Sequence, residues 1–192
     1  IIMPHEDVTR SLAETYFSKR KIVFDDIFLR WNKHNSTVEK KLFPNRKISR
    51  KELDRKFMNL AAKESEKSSD WWRRIGAIVV KKRKPVLFAY NRHLPSPHTP
   101  YVNGDPRNNF HKGINVELSS VIHSEAGVIA EAARQGLSLE GVSMYVTAFP
   151  CPPCAKLIAY SGVAKLYCGG GYGVLDGLDI LKNRGVEIIF VE

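Results

Sequence analysis

Two short clusters hold the residue types that can do chemistry together, His123-Ser124-Glu125 and Pro150-Cys151-Pro152-Pro153-Cys154. They read H-x-E, a spacer, then P-C-x-x-C. One imidazole and two thiolates, from His123, Cys151 and Cys154, make three ligands for Zn²⁺. Structural zinc sites close all four positions, whereas catalytic ones keep one for water. Zinc lowers the pKa of such a water towards about 7. Glu125 then stands where a general acid–base is needed, to take a proton from water and return it to the reacting molecule. A lone C-x-x-C is also a redox motif or half of a structural zinc site. Both clusters fall at helix starts, and a merely structural site has no need of Glu125. The combined pattern therefore points to catalytic zinc, with a non-catalytic zinc-binding scaffold as the alternative.

The elements that must position these residues follow from periodicity. Residues 7–35 show helix-like apolar spacing through Leu12, Tyr16, Phe17, Val23, Phe24, Ile27, Phe28 and Trp31. Breaks follow at Asn35-Ser36 and Phe43-Pro44-Asn45, so residues 1–48 read as a helical N-terminal extension and 49–192 as the main domain. Ser49 and Glu52 form a capping-box pattern for a helix reaching about Lys67. Ile75–Val80 and Pro85–Tyr90 predict an antiparallel pair joined by a basic turn. A long polar stretch, 91 to about 116, reads as a loop. A helix over about 120–135 stops at Gly136, a strand covers Ser143–Thr147, and the next helix opens at the P-C-x-x-C. Strands four and five, Ala164–Cys168 and Val186–Val191, flank a helical stretch of about 174–183. A helical crossover of that length joins parallel strands, whereas a hairpin needs few residues. The alternation argues an α/β fold with a five-stranded mixed sheet whose strands four and five are parallel.

Composition bounds the partners. The chain has 192 residues, a net charge of +10 and 43% hydrophobic content. Such a basic balance suits phosphate-bearing partners, from nucleotides to nucleic acid. No apolar run reaches the roughly 20 residues of a membrane span, and the first ten residues lack a signal-peptide core. Three cysteines, two in C-x-x-C, are no disulfide framework, which predicts a reducing cytoplasm. Cys168, in an apolar run, reads as a buried free thiol. His93, His98 and His111 with Asp105 are a possible second metal cluster, though scattered loop histidines are mostly just exposed. Trp31, Trp71 and Trp72 are candidates for stacking on bases, against packing as the plainer reading.

The segment from about Lys51 to Val191 resembles the cytidine/deoxycytidylate deaminase superfamily. The resemblance rests on Ile75–Val80, Ala89-Tyr90-Asn91 with Pro95, His123-Ser124-Glu125, and Tyr145–Ile158 including Phe149-Pro150-Cys151-Pro152-Pro153-Cys154-Ala155-Lys156. The F-P-C-x-x-C-A-K stretch and the long interval from Asn91 to His123 are most like the deoxycytidylate deaminases. The resemblance implies a three-layer α-β-α sandwich and zinc-dependent deamination of a cytosine nucleotide such as dCMP. It also implies a homo-oligomer. Asn91 should contact sugar or base, and amides near Ser124 and Cys151, beside Pro150, the substrate carbonyl oxygen. Tyr172 aligns with an aromatic near the substrate, and Arg92, Arg107 and Lys112 are candidates for its phosphate. Three positions depart from the pattern. Ser124 replaces alanine, Gly127 replaces asparagine, and Arg92 replaces the glycine after Asn91. The second choice is a deaminase of cytosine or adenine in single-stranded nucleic acid.

Overall fold

The computed structural model describes residues 1–5, 7–25, 46–70, 73–109, 115–171 and 177–192. The N-terminal stretch forms β1 (Ile2–Pro4), α1 (Asp7–Tyr16) and β2 (Val23–Asp25). β1 and β2 pair in parallel, with Met3 opposite Phe24. Among the described residues the helical reading of this stretch holds for α1, and Ile27, Phe28 and Trp31 lie outside them. Val23-Phe24, a β-branched and an aromatic residue, go into a strand instead.

The remaining elements build a six-stranded sheet with helices on both faces, plus a separate two-stranded pair. They are β3 (Ile48–Ser49), α2 (Glu52–Ser65), β4 (Gly76–Lys81), β5 (Lys84–Tyr90), β6 (Arg92–His93), α3 (Thr99–Asn103), β7 (Val121–Ile122), α4 (Ser124–Arg134), β8 (Ser143–Val146), α5 (Pro152–Tyr160), β9 (Lys165–Cys168), α6 (Leu178–Asn183) and β10 (Glu187–Val191). The sheet order is β3-β10-β9-β8-β4-β5. β4 pairs antiparallel with β5 and β8, while β8, β9, β10 and β3 run parallel. The predicted strands four and five are β9 and β10, and they are parallel, with Leu166 opposite Ile188.

The sheet has six strands rather than five, because Ile48-Ser49 adds an edge beside β10. The same fact moves the start of α2. Ser49 does not cap that helix. Its hydroxyl donates to Asp54 at 2.5 Å, and the capping position falls to Lys51 without a side-chain bond. The stretch after Asn91 is not one loop either. β6 and α3 lie in it, and β6 pairs with β7, Val121–Ile122, which takes the place of the predicted start of the next helix.

Alternation along the strands sorts the core into two layers. Ala77 and Val79 of β4 join Val128, Ala132, Ile158 and Leu181 from α4, α5 and α6. Ile78 and Val80 point the other way, to Phe57 and Ala61 of α2 with Tyr145, Tyr167 and Ile189. The result is the α-β-α sandwich. α2 lies so close to the sheet that a Cβ on Gly76 would meet the Ala61 carbonyl oxygen at 1.9 Å. α4 ends as the sequence predicts. Gly136 takes φ +64°, its amide donates to Ala133 O, and the Leu137 amide donates to Ala132 O. The basic hairpin tip turns tightly, with Lys82 and Arg83 both at positive φ.

Candidate active site

α4 and α5 start at the same end of the sheet, and their first residues carry the chemistry. His123 is the N-cap of α4 and Cys151 the N-cap of α5, both with extended backbone. Their carbonyls accept the first helical bonds, from Gly127 N and Ala155 N, each at 2.8 Å. Pro152 and Pro153 occupy the first turn of α5, where a missing N–H costs nothing. Cys154 follows in that turn, three residues on and so on the same face as the cap. The sequence thus folds locally so that two helix N-termini deliver three ligand atoms to one point.

His123 Nδ1 lies 3.3 Å from Cys151 Sγ and 3.4 Å from Cys154 Sγ. With zinc–sulfur near 2.3 Å and zinc–nitrogen near 2.0 Å, tetrahedral ligands sit about 3.6 Å apart. The donor set is soft and compact, with both thiols buried and His123 partly so, and it fits Zn²⁺. The ligand atoms all lie within 4.8 Å of one another, and this is the one such metal-binding group among the described residues. His93 instead meets Ser120 Oγ at 2.8 Å, and His98 packs against Tyr101. His111 lies outside the described residues.

The electrostatics favour a cation here. A hydrogen bond with Cys154 lowers the Cys151 thiol to about 5, against the opposing effect of burial, and His123 adds to the lowering. Cys154 is pushed up by its bond to Cys151 and by burial, while the Ala126 amide of α4 pulls the other way. A thiolate is thus favoured at Cys151, and thiolate is the form that binds a dication. For His123, burial lowers the pKa, but the bond to Cys151 and the nearby negative charge outweigh it, leaving a net rise.

Glu125 is buried at 4% exposure, and burial raises its pKa above that of a free carboxyl. Ser124, fully buried, donates its hydroxyl to Glu125 Oε2 at 2.9 Å and fixes the carboxylate's orientation. A carboxyl with a raised pKa beside a metal centre can hold a proton and release it, as a proton shuttle must.

A cleft opens beside the ligands, lined by His123, Ser124, Glu125 and Cys151 with Ile75, Val121, Ala148 and Phe149. Its polar wall comprises Arg73, Asn91 and Arg107. The structure therefore brings Asn91, Ser124 and Arg107 to the cleft with Glu125 and the ligands. It does not bring Arg92, which lines a separate groove with Phe88, Tyr90 and Glu131. The reason is strand alternation in β6: His93 points inward and is 2% exposed, so Arg92 points out. Pro150 is fully buried behind the site rather than on the cleft wall. Tyr172, Lys112, Trp31, Trp71 and Trp72 lie outside the described residues. Cys168 is a free, fully buried thiol whose pKa burial pushes up.

Sequence reasoning missed the groups behind the polar wall. Arg107 grips Asp70 through two hydrogen bonds, 2.8 and 3.3 Å, and Asp105 through Nε and Nη2. The Asp70 and Asp105 side chains are 0% and 3% exposed. Neither aspartate belongs to a motif, and Asp70 meets Arg107 from thirty-seven positions away. A proline-bounded Asp-Pro-Arg in a polar stretch was the one available hint.

Fold and site together define a class, an α/β domain with a His-Cys-Cys metal centre at paired helix N-termini and a buried glutamate at hand. A family model described as the cytidine and deoxycytidylate deaminase zinc-binding region matches residues 51–170, and the chain belongs to this family. The deoxycytidylate deaminase of Enterobacteria phage T2 is 48% identical over 85 residues, 42% of this chain and 45% of that protein. That of Saccharomyces cerevisiae is 26% identical over 154 residues, 78% of this chain and 47% of that one. The chain thus matches about half the length of these curated relatives. Among solved structures, apo dCMP deaminase from cyanophage S-TIM5 covers 74% of this chain and 99% of its own, with TM-score 0.59 and 28% identity. The same enzyme solved with dCMP and dUMP matches with TM-score 0.58 and 27% identity.

Proposed function

We propose that this chain is a zinc-dependent hydrolase that deaminates a cytosine nucleotide, dCMP or a close analogue, to the uracil nucleotide and ammonia. The observation that carries the reading is the meeting of His123 Nδ1 with two thiols at 3.3 and 3.4 Å, with buried Glu125 two residues along. The family and the dCMP-bound relative support the substrate class.

His123, Cys151 and Cys154 would hold the zinc. When bound, the metal supplies Lewis acidity and a water that ionises near neutral pH. The chain's own residues do the rest. Glu125 accepts a proton from the water and delivers it to ring N3. The water oxygen bonds to C4 as the ring loses aromaticity. Glu125 then passes the second proton to the exocyclic amine, the C4–N bond breaks, and ammonia leaves. The sum is cytosine nucleotide plus water giving uracil nucleotide plus ammonia. Ser124 keeps the Glu125 carboxylate aimed through the 2.9 Å bond. Ile75, Val121 and Phe149 exclude bulk water and supply flat apolar walls for a base.

Arg107 is a weaker candidate for the phosphate than the sequence suggested, because two buried carboxylates already offset its charge. A homo-oligomer and a reducing cytoplasm are part of the proposal. They are supported by the family resemblance and by three free, buried thiols. No helix among the described residues is long and apolar enough to cross a membrane.

The test is ammonia release from dCMP, CMP and a cytosine-containing oligonucleotide, with zinc measured on the same sample. Turnover of dCMP well above the oligonucleotide is expected. Preference for the oligonucleotide would replace this reading with nucleic-acid deamination. Zinc bound without any turnover would leave a scaffold.

A further inference from the structure

Cys151 and Cys154 carry a chemistry besides metal binding, because two neighbouring thiols can also give up two electrons and join. Cys151 caps α5 with extended backbone, and Cys154 lies in the first turn. Residues three apart in a helical turn have Cα atoms about 5 Å apart, inside the roughly 4.4–6.8 Å that a disulfide bridges. Pro152 and Pro153 between them fix two φ angles at about −65°, so the backbone keeps the thiols together. His123 Nδ1 meets both sulfurs, at 3.3 and 3.4 Å, on one side of the helix start. The two thiols differ in access. Both are 2% exposed, yet Cys151 lines the cleft and Cys154 does not. Cys168, the third free thiol, is fully buried on β9 and outside the three-ligand group.

We propose that Cys151 and Cys154 are a peroxide-sensitive pair in which Cys151 reacts first and Cys154 resolves it, so that oxidation of the site expels its metal. The Cys151 sulfur attacks one oxygen of hydrogen peroxide, the O–O bond breaks, and the departing hydroxide takes a proton and leaves as water. Cys151 is then a sulfenic acid. The Cys154 sulfur attacks the Cys151 sulfur, the S–O bond breaks, a second water leaves and the disulfide forms. Peroxide gains two electrons and the sulfur pair loses two. Starting from zinc-bound thiolates, solvent supplies the two protons; starting from thiols, the thiols do. A disulfide sulfur has no anionic charge to offer Zn²⁺, and His123 alone is a single ligand, so the metal leaves. The pairing also protects the site. A lone oxidised cysteine goes on to the irreversible sulfinic acid, whereas a disulfide returns to thiols with a reductant. The inference rests on the His-Cys-Cys metal reading and not on the substrate.

The experiment exposes the zinc-loaded full chain to hydrogen peroxide and follows zinc release with a chromogenic chelator and intact mass after alkylation. Loss of the zinc together with the mass of two hydrogens is expected, and dithiothreitol with added zinc should restore the metal. Dimedone present during oxidation traps sulfenic acid, and it should label Cys151 in the wild type. Cys154→Ser should form no disulfide and carry Cys151 on to the sulfinic acid, two oxygens heavier. If that variant does not fold, the wild-type mass and dimedone map still decide the matter. Zinc retained under peroxide, sulfinic acid without a disulfide in the wild type, a disulfide to Cys168, or dimedone on Cys154 each overturns the inference and leaves the deaminase reading intact. A chain that takes up no zinc overturns both.

Discussion

The metal corner and the polar wall of the same cleft are built in opposite ways. His123, Cys151 and Cys154 sit at the N-termini of two helices, so regular backbone geometry places each ligand atom. Asp70, Asn91 and Asp105 lie outside the helices and strands, and Arg107 sits in a single 3-10 turn, Pro106–Asn109. What holds them is a set of hydrogen bonds and ion pairs among themselves, with Asp70 joined to a guanidinium thirty-seven positions away. The corner is rigid because the helices are; the wall is rigid only while its charges remain paired. The two should therefore fail differently under mutation. Damage at the corner should abolish chemistry, and damage at the wall should cost stability and binding with the zinc retained.

The sharpest break is Cys151→Ala. It should empty the metal site and reduce turnover to background, with zinc measured by atomic absorption. Glu125→Gln should keep zinc and lose about 10²- to 10⁴-fold in kcat, the usual worth of a positioned proton carrier. An active variant would remove Glu125 from the mechanism. The pH profile offers a check without mutation. Burial raises the Glu125 pKa above its ordinary 4.5, and the carboxylate must be ionised to accept the water's proton. Activity should therefore fall as pH drops through that raised value, placing the acidic limb of kcat/KM above pH 4.5. At the wall, Arg107→Ala strands two buried carboxylates. It should cost about 3 kcal/mol of stability in denaturant unfolding, with zinc still bound. The smallest effect is expected from Ser68→Ala. The lost hydroxyl accepts from the Asp70 amide and donates to Asn91 O, and its removal should cost about 1 kcal/mol. If the wall variants released zinc as readily as Cys151→Ala, the distinction between the two regions would collapse.

The contrast also explains what was legible beforehand. The H-x-E and P-C-x-x-C clusters reveal the metal corner because ligand type and helix-start position are both written locally. The parallel pairing of β9 and β10 was legible for the same kind of reason, since the length of the intervening stretch excludes a hairpin. Arg92 was misplaced because a basic residue beside Asn91 looks well sited until strand alternation turns it outward. Ser49 looked like a helix cap until β3 claimed its backbone and Asp54 its hydroxyl.

Residue order alone pointed to the His-Cys-Cys donor set, to Glu125 beside it, to the α/β class and to the direction of its last strands. Those properties depend on periodicity, on spacings of a few residues and on the chemistry of single side chains. Only the tertiary structure decided that Asp70 and Asp105 share Arg107, that Asn91 gives its amide hydrogens to Asp70 and the Arg73 carbonyl, and that Arg92 faces away. Such facts depend on which distant groups meet when the core closes. A buried polar group takes whatever partner packing brings it, because leaving it unpaired costs more than any local preference.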